Sequence, residues 1–589
     1  FGNNAYGLQA AAEVYYGKNV EDLTMIEGAF LAGLVRSPSG YDPIRKPERS
    51  RARFKQVTTR LVDVGLISAA QGDDLAANYV LPDRVHGIPT ADTTLTYYSV
   101  ALREYLLQKA NFLGPDEQSR ANLLYRGGLR IHTTLDPALQ ASAEAAQAVM
   151  PANSAGITSA IVSLDTSTGA IRAMVGGKGF TRDNQTNMAL APRQTGSSIK
   201  LFILSAALQA GAQPTDLIDG RRGCVLPTGD PKKPFIINGG EAGSIAPLNQ
   251  QTWLSINCAF ARLTQIVGLN RMVDTVYRMA HSDYLYAGQP TSQREKLQPV
   301  ASFATGANVM SPLDMAAGMQ SIANQGLHHD PYYVESIDLV DGSRLYTHTD
   351  PGTQVLDSGV ALTALDVMKG VLTRGTARSA LSTFKRPAAG KTGTQQDNSN
   401  AWFVGTTPQL TTAVWVGDPD SYLPMVNIPE FRKDGVSNVQ GGTYPARIWR
   451  AYMQGQPESL PVLDWPPPPK PSRGPMRLYL PGVECLTQLV GGTAPTTTTS
   501  GVNPVSPLLA APTTEVPTAT TTATTTPSEP SGTTTTVPLV TTPPTPPPPV
   551  YRNLPSGTTI PPDVLDPNAP VPTVPLSVIV YTCGKSPGS

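Results

Sequence analysis

The sequence predicts an α+β protein in which one antiparallel sheet is covered by helices, with a helical segment before it and an unfolded tail after it. Two hairpin patterns stand far apart in the chain, helical periodicity lies before and between them, and the composition turns to Pro and Thr near the end. Strands from both ends of one segment can pair in a single sheet that the intervening helices cover. With 589 residues, we expect three or four parts at roughly 100 to 200 residues per domain.

Composition excludes several classes of function. Lys plus Arg is 45 and Asp plus Glu is 45, so nucleic acid is not an expected partner. The six histidines form no His-Glu-x-x-His pattern and there is no pair of Cys-x-x-Cys motifs, so we expect neither a metal nor a cofactor. No uninterrupted apolar stretch of about 20 residues occurs. The chain opens on Phe1 within a recognisable pattern, described below, and we therefore expect a fragment or processed form.

The segment before the sheet is predicted in two parts. Residues 1–70 carry apolar residues at helical spacing over 5–16, 21–35 and 48–65, with a helix start read at 19–22. Residues 71–155 form a connector with a hydrophilic middle at 114–120. An amphipathic helix over 137–150 is predicted to lead into the sheet.

The sheet domain is predicted over 156–460. Two hairpins are predicted. The first has strands at 159–164 and 170–175 around a turn at 165–169, and the second has strands at 401–405 and 412–417. The stretch between them, 197–380, is predicted to be mostly helical.

Residues 461–589 are predicted to be a low-complexity tail. Pro466 to Pro469 and several Thr runs indicate too little apolar surface to fold. Cys485 and Cys583 stand in this tail, either bridged or as two free thiols. Cys224 and Cys258 are read as buried apolar residues rather than ligands, with a disulfide left open.

The candidate nucleophile and its base lie in the stretch Gly196-Ser197-Ser198-Ile199-Lys200. An apolar run follows it and predicts a buried helix. Positions i and i+3 share a helix face, so Lys200 would lie beside the Ser197 hydroxyl. The helix dipole and an apolar surround both disfavour the ammonium form of that lysine, which would let it act as a base. A second Ser-x-x-Lys, Ser382 to Lys385, is closely followed by Pro387 and is interpreted as a chance match.

Two further motifs follow in the chain: Ser255-Ile256-Asn257 and Lys391-Thr392-Gly393-Thr394. Either alone could be a helix cap or a plain strand. Together with the first motif they match the order Ser-x-x-Lys, Ser-x-Asn, Lys-Thr-Gly, the known signature of penicillin-binding proteins and class A β-lactamases. The candidate site therefore has eight residues: Ser197, Lys200, Ser255, Asn257, Lys391, Thr392, Gly393 and Thr394.

Each candidate has a chemical task. Ser197 becomes acylated and Lys200 takes its proton. Ser255 passes a proton between the lysines, and Asn257 holds Lys200 and the substrate's peptide group.

The third motif is assigned to charge and substrate binding. Lys391 lowers the pKa of Lys200 and attracts a substrate carboxylate. The hydroxyls of Thr392 and Thr394 bind that carboxylate, and Gly393 gives the substrate room against the strand. The N–H groups of Ser197 and Thr394 are the expected oxyanion hole.

The sequence resembles the class A, bifunctional penicillin-binding proteins. The resemblance rests on residues 193–200, 389–394, 397–405 and 128–137 and covers roughly residues 1–455. It implies a penicillin-binding, serine β-lactamase-like transpeptidase fold. Residues 1–7 and 32–38 are similar to the end of the family's peptidoglycan glycosyltransferase domain. That domain's catalytic glutamates and membrane anchor would lie upstream, so glycosyl transfer is not expected of this segment.

The resemblance implies a peptidoglycan DD-transpeptidase that acylates Ser197 with a stem peptide ending in D-Ala-D-Ala, releases D-Ala and passes the acyl group to an amine. Its partners would be stem peptides on lipid II-derived glycan strands, β-lactams and other cell-wall synthesis proteins, outside the cytoplasm and on a membrane-anchored parent. Two alternatives stay open: a DD-carboxypeptidase or β-lactamase, in which water replaces the amine, and a non-catalytic cell-wall scaffold.

Overall fold

The computed structural model describes residues 1–480 apart from 4, 6, 85, 87–94, 182–183, 229, 231, 282–296 and 457–460. Cys485 and Cys583 therefore lie outside the described residues, as does most of the predicted tail. No helix in the described ranges is both long enough and apolar enough to cross a bilayer.

The first segment is helical, as predicted, with α1 Leu8–Tyr16, α2 Met25–Leu34, α3 Pro47–Asp63 and α4 Ala69–Asn78. The predicted helix start at 19–22 is wrong, because Val20–Asp22 forms a separate 3₁₀ turn. Helix α2 begins after Thr24, whose hydroxyl accepts from the N–H of Glu27 while the Glu27 carboxylate accepts from the N–H of Thr24. This reciprocal capping satisfies two of the N–H groups at the helix start.

The connector contains α5 Tyr97–Gln108, α6 Glu117–Arg126, β1 Arg130–Thr133 and α7 Pro137–Ala146. The hydrophilic stretch 114–120 is the start of α6, where the Asp116 carboxylate accepts from the N–H of Ser119 at 2.7 Å. The predicted helix over 137–150 is present as α7, and a 3₁₀ turn, Gln147–Val149, continues it.

The central sheet is antiparallel and joins both ends of the domain, as predicted. Its strands are β2 Thr158–Asp165, β3 Ile171–Val175, β14 Ala389–Thr394, β15 Asn400–Thr406 and β16 Leu410–Gly417, in the order β14-β15-β16-β2-β3. The pairing of β16 with β2, from Leu410 opposite Asp165 to Gly417 opposite Thr158, connects the two hairpins. The first and last parts of the domain are therefore neighbours in one sheet.

Helices cover both faces of this sheet. Alternate residues of β15 point to opposite sides: Trp402 and Val404 belong to one apolar cluster, and Ala401 and Phe403 to the other. The helices after the first hairpin are α8 Lys200–Gln209, α9 Leu248–Trp253, α10 Asn257–Val267, α11 Leu269–Met279, α12 Pro312–Ala323, α13 Ser358–Thr373, α14 Arg378–Leu381, α15 Pro429–Lys433 and α16 Tyr444–Gln454.

Short strands interrupt the stretch that was predicted to be mostly helical. They are β4 Arg193–Gln194, β5 Leu217–Asp219, β6 Cys224–Leu226, β7 Phe235–Ile237, β8 Ile245–Pro247, β9 Val309–Met310, β10 Leu327–His328, β11 Val334–Asp338, β12 Arg344–Thr347 and β13 Thr353–Gln354. They pair in small sheets of two or three strands. Strands this short carry too few residues to show an alternating pattern in the sequence.

Residues 461–480, which we name the C-terminal strap, pack on the domain although the sequence places them in the unfolded tail. Trp465 is buried and its indole N–H donates to the carbonyl of Ala323 at 2.8 Å. Strand β17, Arg477–Leu478, pairs in parallel with β5. The guanidinium of Arg473 binds the buried carboxylate of Asp216 through two nitrogens, at 2.6 and 2.7 Å. The strap uses a few large side chains, so its average composition does not reveal it.

Cys224 and Cys258 are both buried, as predicted, and they form the disulfide that the sequence left open. Cys224 opens β6 and Cys258 lies in the first turn of α10. The bond therefore connects the β6–β7 hairpin to the helix that begins with Asn257.

Candidate active site

Ser197 lies on a 3₁₀ turn, Gly196–Ile199, that leads directly into the buried helix α8. Two bonds to the carbonyl of Thr195 hold the turn: the Ser198 hydroxyl donates at 2.6 Å and the Ser198 N–H at 3.2 Å. Gly196 and Ser198 are buried, whereas Ser197 remains partly exposed. Within the described residues, the Ser197 hydroxyl makes no hydrogen bond. The nucleophile candidate is thus accessible on a rigid turn.

Lys200, the first residue of α8, is fully buried. Its ammonium nitrogen donates to the carbonyl of Ser255 and to Oδ1 of Asn257, both at 2.7 Å, and lies 3.4 Å from the Ser255 hydroxyl. It also lies 5.4 Å from the ring centre of Phe260. Every one of these partners is uncharged. Lys200 follows Ser197 by one helical turn, and these hydrogen-bond partners of its amine all belong to the second motif.

Ser255 lies in the loop between α9 and α10, in the left-handed conformation with φ 57°. The N–H groups of Ser255 and Ile256 close the end of α9 by bonding to the carbonyls of Thr252 and Gln251. Asn257 then begins α10. The tight turn presents both the carbonyl and the hydroxyl of Ser255 to the lysines.

Lys391 lies on β14 and is also fully buried. Its amine donates to the Ser255 hydroxyl at 2.8 Å and to the carbonyl of Thr392 at 2.9 Å. The Ser255 hydroxyl consequently stands between the amines of Lys200 and Lys391. This arrangement joins the three sequence motifs at one oxygen atom.

Burial shifts both lysines toward the neutral form. It holds the pKa of Lys200 well below the ordinary lysine value, and the positive charge of Lys391 lowers it further. Burial alone lowers the pKa of Lys391 to about 7. In the described part of the chain, no carboxylate forms a hydrogen bond with either amine. The pKa of Lys200 is therefore lowered, as the sequence predicts, and its neutral amine can act as a base near neutral pH.

Strand β14 is the edge of the central sheet, and its backbone is partly free to receive a ligand. The N–H of Gln395 donates to the carbonyl of Asn400, which fixes the alternation of bonded pairs along β14 and β15. By this alternation the N–H and C=O groups of Thr392 and Thr394 point away from β15. The N–H of Thr394 therefore faces outward from the sheet, as an oxyanion donor requires.

Glycines let the nucleophile turn pack directly on this edge. A Cβ on Gly196, which has φ 51°, would lie 2.6 Å from the carbonyl of Thr394. A Cβ on Gly393 would lie 2.6 Å from the carbonyl of Thr195 and 2.8 Å from the N–H nitrogen of Ser198. The sequence predicted that Gly393 makes room for the substrate. In the structure, the absence of a side chain at Gly393 makes room for the turn that carries Ser197.

The hydroxyls of Thr392 and Thr394 already have protein partners. Thr392 Oγ1 lies 2.5 Å from Thr376 Oγ1. Thr394 Oγ1 accepts from the N–H of Gly441 at 3.1 Å, which leaves its own proton available to a ligand. Thr376, Gly441 and the Phe260 ring were not predicted, because each lies outside the three motifs and no local pattern singles it out.

The second Ser-x-x-Lys does not join this site. Ser382 follows the four-residue helix α14, and both Ser382 and Lys385 are exposed. Among the described residues neither contacts the other two motifs. Spacing alone therefore does not define the nucleophile.

Two protein families match this chain, one over the sheet domain and one over the first helical segment. Residues 159–422 match the penicillin binding protein transpeptidase domain, and residues 1–62 match the transglycosylase family. The chain is 31% identical over 490 residues to penicillin-binding protein 1A of Mycolicibacterium smegmatis and 30% identical over 479 residues to that of Mycobacterium tuberculosis. These matches cover 80% and 77% of this chain but only 58% and 54% of the relatives.

Solved structures give the same result. The chain is similar to the PonA1 protein of M. tuberculosis in complex with penicillin V, with 26% identity and a TM-score of 0.53 over 63% of this chain and 96% of the other. It also has the fold of penicillin-binding protein 1A from Haemophilus influenzae, with 20% identity and a TM-score of 0.60 over 79% and 85% of the two chains. With its transpeptidase domain and its transglycosylase segment, this chain belongs to the class A penicillin-binding proteins.

Proposed function

We propose that this chain is a serine DD-transpeptidase that cross-links peptidoglycan stem peptides through an acyl-enzyme on Ser197 and that β-lactams acylate the same serine. The observation that carries the proposal is the Ser255 hydroxyl, which joins two buried lysine amines, one of them on the residue that follows the partly exposed Ser197 by one helical turn. Serine needs a base to become a nucleophile, and Lys200 is a lysine whose surroundings favour the neutral amine.

Acylation follows from this geometry. The Ser197 oxygen attacks the carbonyl carbon of the terminal D-Ala-D-Ala bond while its proton passes to the neutral amine of Lys200. The N–H groups of Ser197 and Thr394 bind the developing oxyanion. As the C–N bond breaks, the proton moves from Lys200, directly or through the Ser255 hydroxyl, to the nitrogen of the leaving D-Ala. The product is an ester on Ser197.

Substrate orientation is assigned to the edge of the sheet. The outward-facing backbone groups of β14 would pair with an extended stem peptide, which adds to the sheet as a further strand. The substrate's terminal carboxylate would be bound by the proton of Thr394 Oγ1, the hydroxyl of Thr392 and the charge of Lys391. Asn257, whose Oδ1 holds Lys200, would use its amide nitrogen for the peptide carbonyl.

In the second half of the reaction an amine of a neighbouring stem attacks the ester. The proton of that amine passes through Lys200 to the Ser197 oxygen, which leaves as the free hydroxyl. A β-lactamase of class A uses a glutamate and a water to deacylate. In the described residues, no carboxylate forms a hydrogen bond with the side chains of Ser197, Lys200, Ser255, Asn257 or Lys391. This arrangement favours a long-lived acyl-enzyme that waits for an amine.

The test is labelling with a fluorescent penicillin. Wild type and Ser382→Ala should label equally, and Ser197→Ala should not label. Ser382→Ala is the matched control because it removes the serine of the second Ser-x-x-Lys. Equal labelling of Ser197→Ala, or no labelling of wild type, would refute the proposal.

A stem pentapeptide then separates the two reactions. With an acceptor amine present, D-Ala release should accompany formation of a cross-linked dimer. Hydrolysis that dominates despite the amine, or rapid turnover of penicillin, would assign the chain to the carboxypeptidases or β-lactamases instead.

We also propose an extracytoplasmic location in the cell envelope, where stem peptides on glycan strands are the substrates. The likeness of residues 1–62 to transglycosylases supports a parent protein that couples glycan polymerisation to cross-linking. Fractionation of cells with an antibody to the sheet domain tests the location. Recovery in the cytosol alone would contradict it.

A further inference from the structure

A second group of polar side chains lies on elements that the catalytic site does not use. His281 follows the end of α11, His328 lies on β10, Asp330 comes just after β10, and Ser321 lies in α12. One carboxylate oxygen, Oδ1 of Asp330, lies 2.6 Å from Nδ1 of His281 and 3.0 Å from Nε2 of His328. The sequence search for metal motifs missed this group because its histidines are 47 residues apart.

The hydrogen bonds of Ser321 determine which nitrogen of His328 carries a proton. The Ser321 hydroxyl oxygen lies 2.6 Å from the carbonyl of Met279 and 2.8 Å from Nδ1 of His328. Two oxygens at 2.6 Å need a proton between them, and a serine has only one. The hydroxyl therefore donates to Met279, and Nδ1 of His328 must donate to the hydroxyl.

With Nδ1 protonated, the other nitrogen of a neutral His328 ring carries a lone pair. That nitrogen, Nε2, faces only acceptors: Oδ1 of Asp330 at 3.0 Å and the carbonyl of His281 at 3.1 Å. A lone pair directed at two oxygens is unfavourable in a buried position, and His328 is 4% exposed. A metal ion between Nε2 and its oxygen neighbours would accept this lone pair.

The donor set fits a metal ion. One ligand atom from each of His281, His328 and Asp330 lies within 4.8 Å of the others. Ligands about 2.0–2.1 Å from a tetrahedral Zn²⁺ are themselves about 3.4 Å apart, a spacing this group can reach with small side-chain shifts. Imidazole nitrogens with one carboxylate are the donors that zinc prefers.

The surroundings of the group have two further features of a metal centre. A histidine that binds metal usually donates its other ring N–H to a fixed acceptor, which is the role of Ser321 toward His328. Exposure rises across the group, from 4% for the His328 side chain to 22% for His281 and 55% for Asp330. The group is therefore open to solvent on its Asp330 side.

We propose that His281, His328 and Asp330 form a site for one divalent transition-metal ion, with zinc as the ion that fits the donors. Bound metal would connect the end of α11 to the strand that follows α12. Its role is structural, because none of its ligands belongs to the three catalytic motifs.

The test uses the full chain after dialysis against a chelator, followed by titration with ZnCl₂ and, separately, with CoCl₂ for its visible absorption. Wild type should bind one zinc per chain, show cobalt bands typical of nitrogen and oxygen ligands, and melt at a higher temperature with zinc. His281→Ala and Asp330→Asn should each weaken zinc binding more than tenfold and lose the shift in melting temperature.

His132→Ala is the matched control, since it removes another histidine that pairs with an aspartate, Asp338, at 2.9 Å. It should bind zinc as wild type does. Fluorescent penicillin labelling of every variant verifies that the sheet domain is folded. Substoichiometric binding by wild type at micromolar zinc would overturn the proposal. Unchanged binding by His281→Ala and Asp330→Asn would overturn it as well.

Discussion

The Ser255 hydroxyl offers the sharpest test of the proposed proton path. It accepts from Lys391 at 2.8 Å and lies 3.4 Å from the amine of Lys200. Ser255→Ala removes this oxygen while the other bonds of the lysines remain: Lys200 keeps the Ser255 carbonyl and Asn257, and Lys391 keeps the Thr392 carbonyl. The change therefore isolates the connection between the two amines.

The expected loss can be worked from that connection. A hydrogen bond to a charged group contributes about 1.5–3 kcal/mol, and each 1.36 kcal/mol on a barrier is a factor of ten in rate. If the whole contribution is made in the transition state, the second-order rate constant for acylation by a fluorescent penicillin falls about 10- to 150-fold. Stopped-flow measurement at several penicillin concentrations should place the loss in the acylation step rather than in initial binding.

Backbone strain provides the control, because Ser255 has φ 57°. Alanine keeps the strain of this left-handed conformation, whereas glycine relieves about 1 kcal/mol of it. Ser255→Gly should therefore be more stable to urea than Ser255→Ala and yet equally slow in acylation. Recovery of the acylation rate in Ser255→Gly would show that loop geometry, not the hydroxyl, matters. Acylation of Ser255→Ala within threefold of wild type would refute the proton path.

Four further predictions follow from the buried lysines, the disulfide and the C-terminal strap. Because burial holds the pKa of Lys200, the proposed base, well below the ordinary lysine value, penicillin acylation should not gain from further deprotonation of that amine at alkaline pH; an acylation rate that rises about tenfold per pH unit from pH 8 to 10 would contradict this. The depressed pKa of Lys391 also means that the unfolded state binds more protons between about pH 7 and 10.5, so unfolding free energy measured in urea should gain from this group as pH rises across that window. Replacing Cys224 and Cys258 by serine opens a 34-residue separation and should cost about 3–4 kcal/mol by chain entropy, measured as a lower melting temperature; an unchanged midpoint would argue against it. Trp465→Ala should cost about 3–5 kcal/mol in urea unfolding, whereas a loss below 1 kcal/mol would mean that the C-terminal strap detaches readily.

The architecture could be predicted because its signals are local and repeated. Each hairpin of the central sheet shows two apolar runs around a polar turn, and the helices of residues 1–70 show regular apolar spacing. The topology followed from one further argument, that strands at both ends of a segment pair in one sheet. The short strands and the strap could not be predicted, since each depends on contacts with distant residues: Trp465, for instance, is placed by the carbonyl of Ala323.

The candidate site was likewise predicted only in part: its residues were, but most of their contacts were not. Three motifs supplied the candidate residues, and the structure brings four of them, Lys200, Ser255, Asn257 and Lys391, together. Sequence spacing suggested that Lys200 would lie against Ser197, but it could not show that Asn257 and the Ser255 carbonyl hold the amine. Nor could it show the packing of Gly393 on the Ser197 turn, because that contact joins residues nearly 200 positions apart.

The two buried lysines connect the stability of this domain with its proposed chemistry. Burying an ammonium group without an anionic partner costs free energy, and the protein reduces that cost by favouring the neutral amine. A carboxylate placed beside Lys200 would stabilise the folded state through an ion pair, yet the same pair would raise the pKa of Lys200 and remove the base. Neutral oxygen partners such as Asn257 and the carbonyl of Ser255 orient the amine without that effect. The surrounding structure, including the disulfide beside Asn257 and the packed helices, must therefore hold in place a site that is unfavourable on its own.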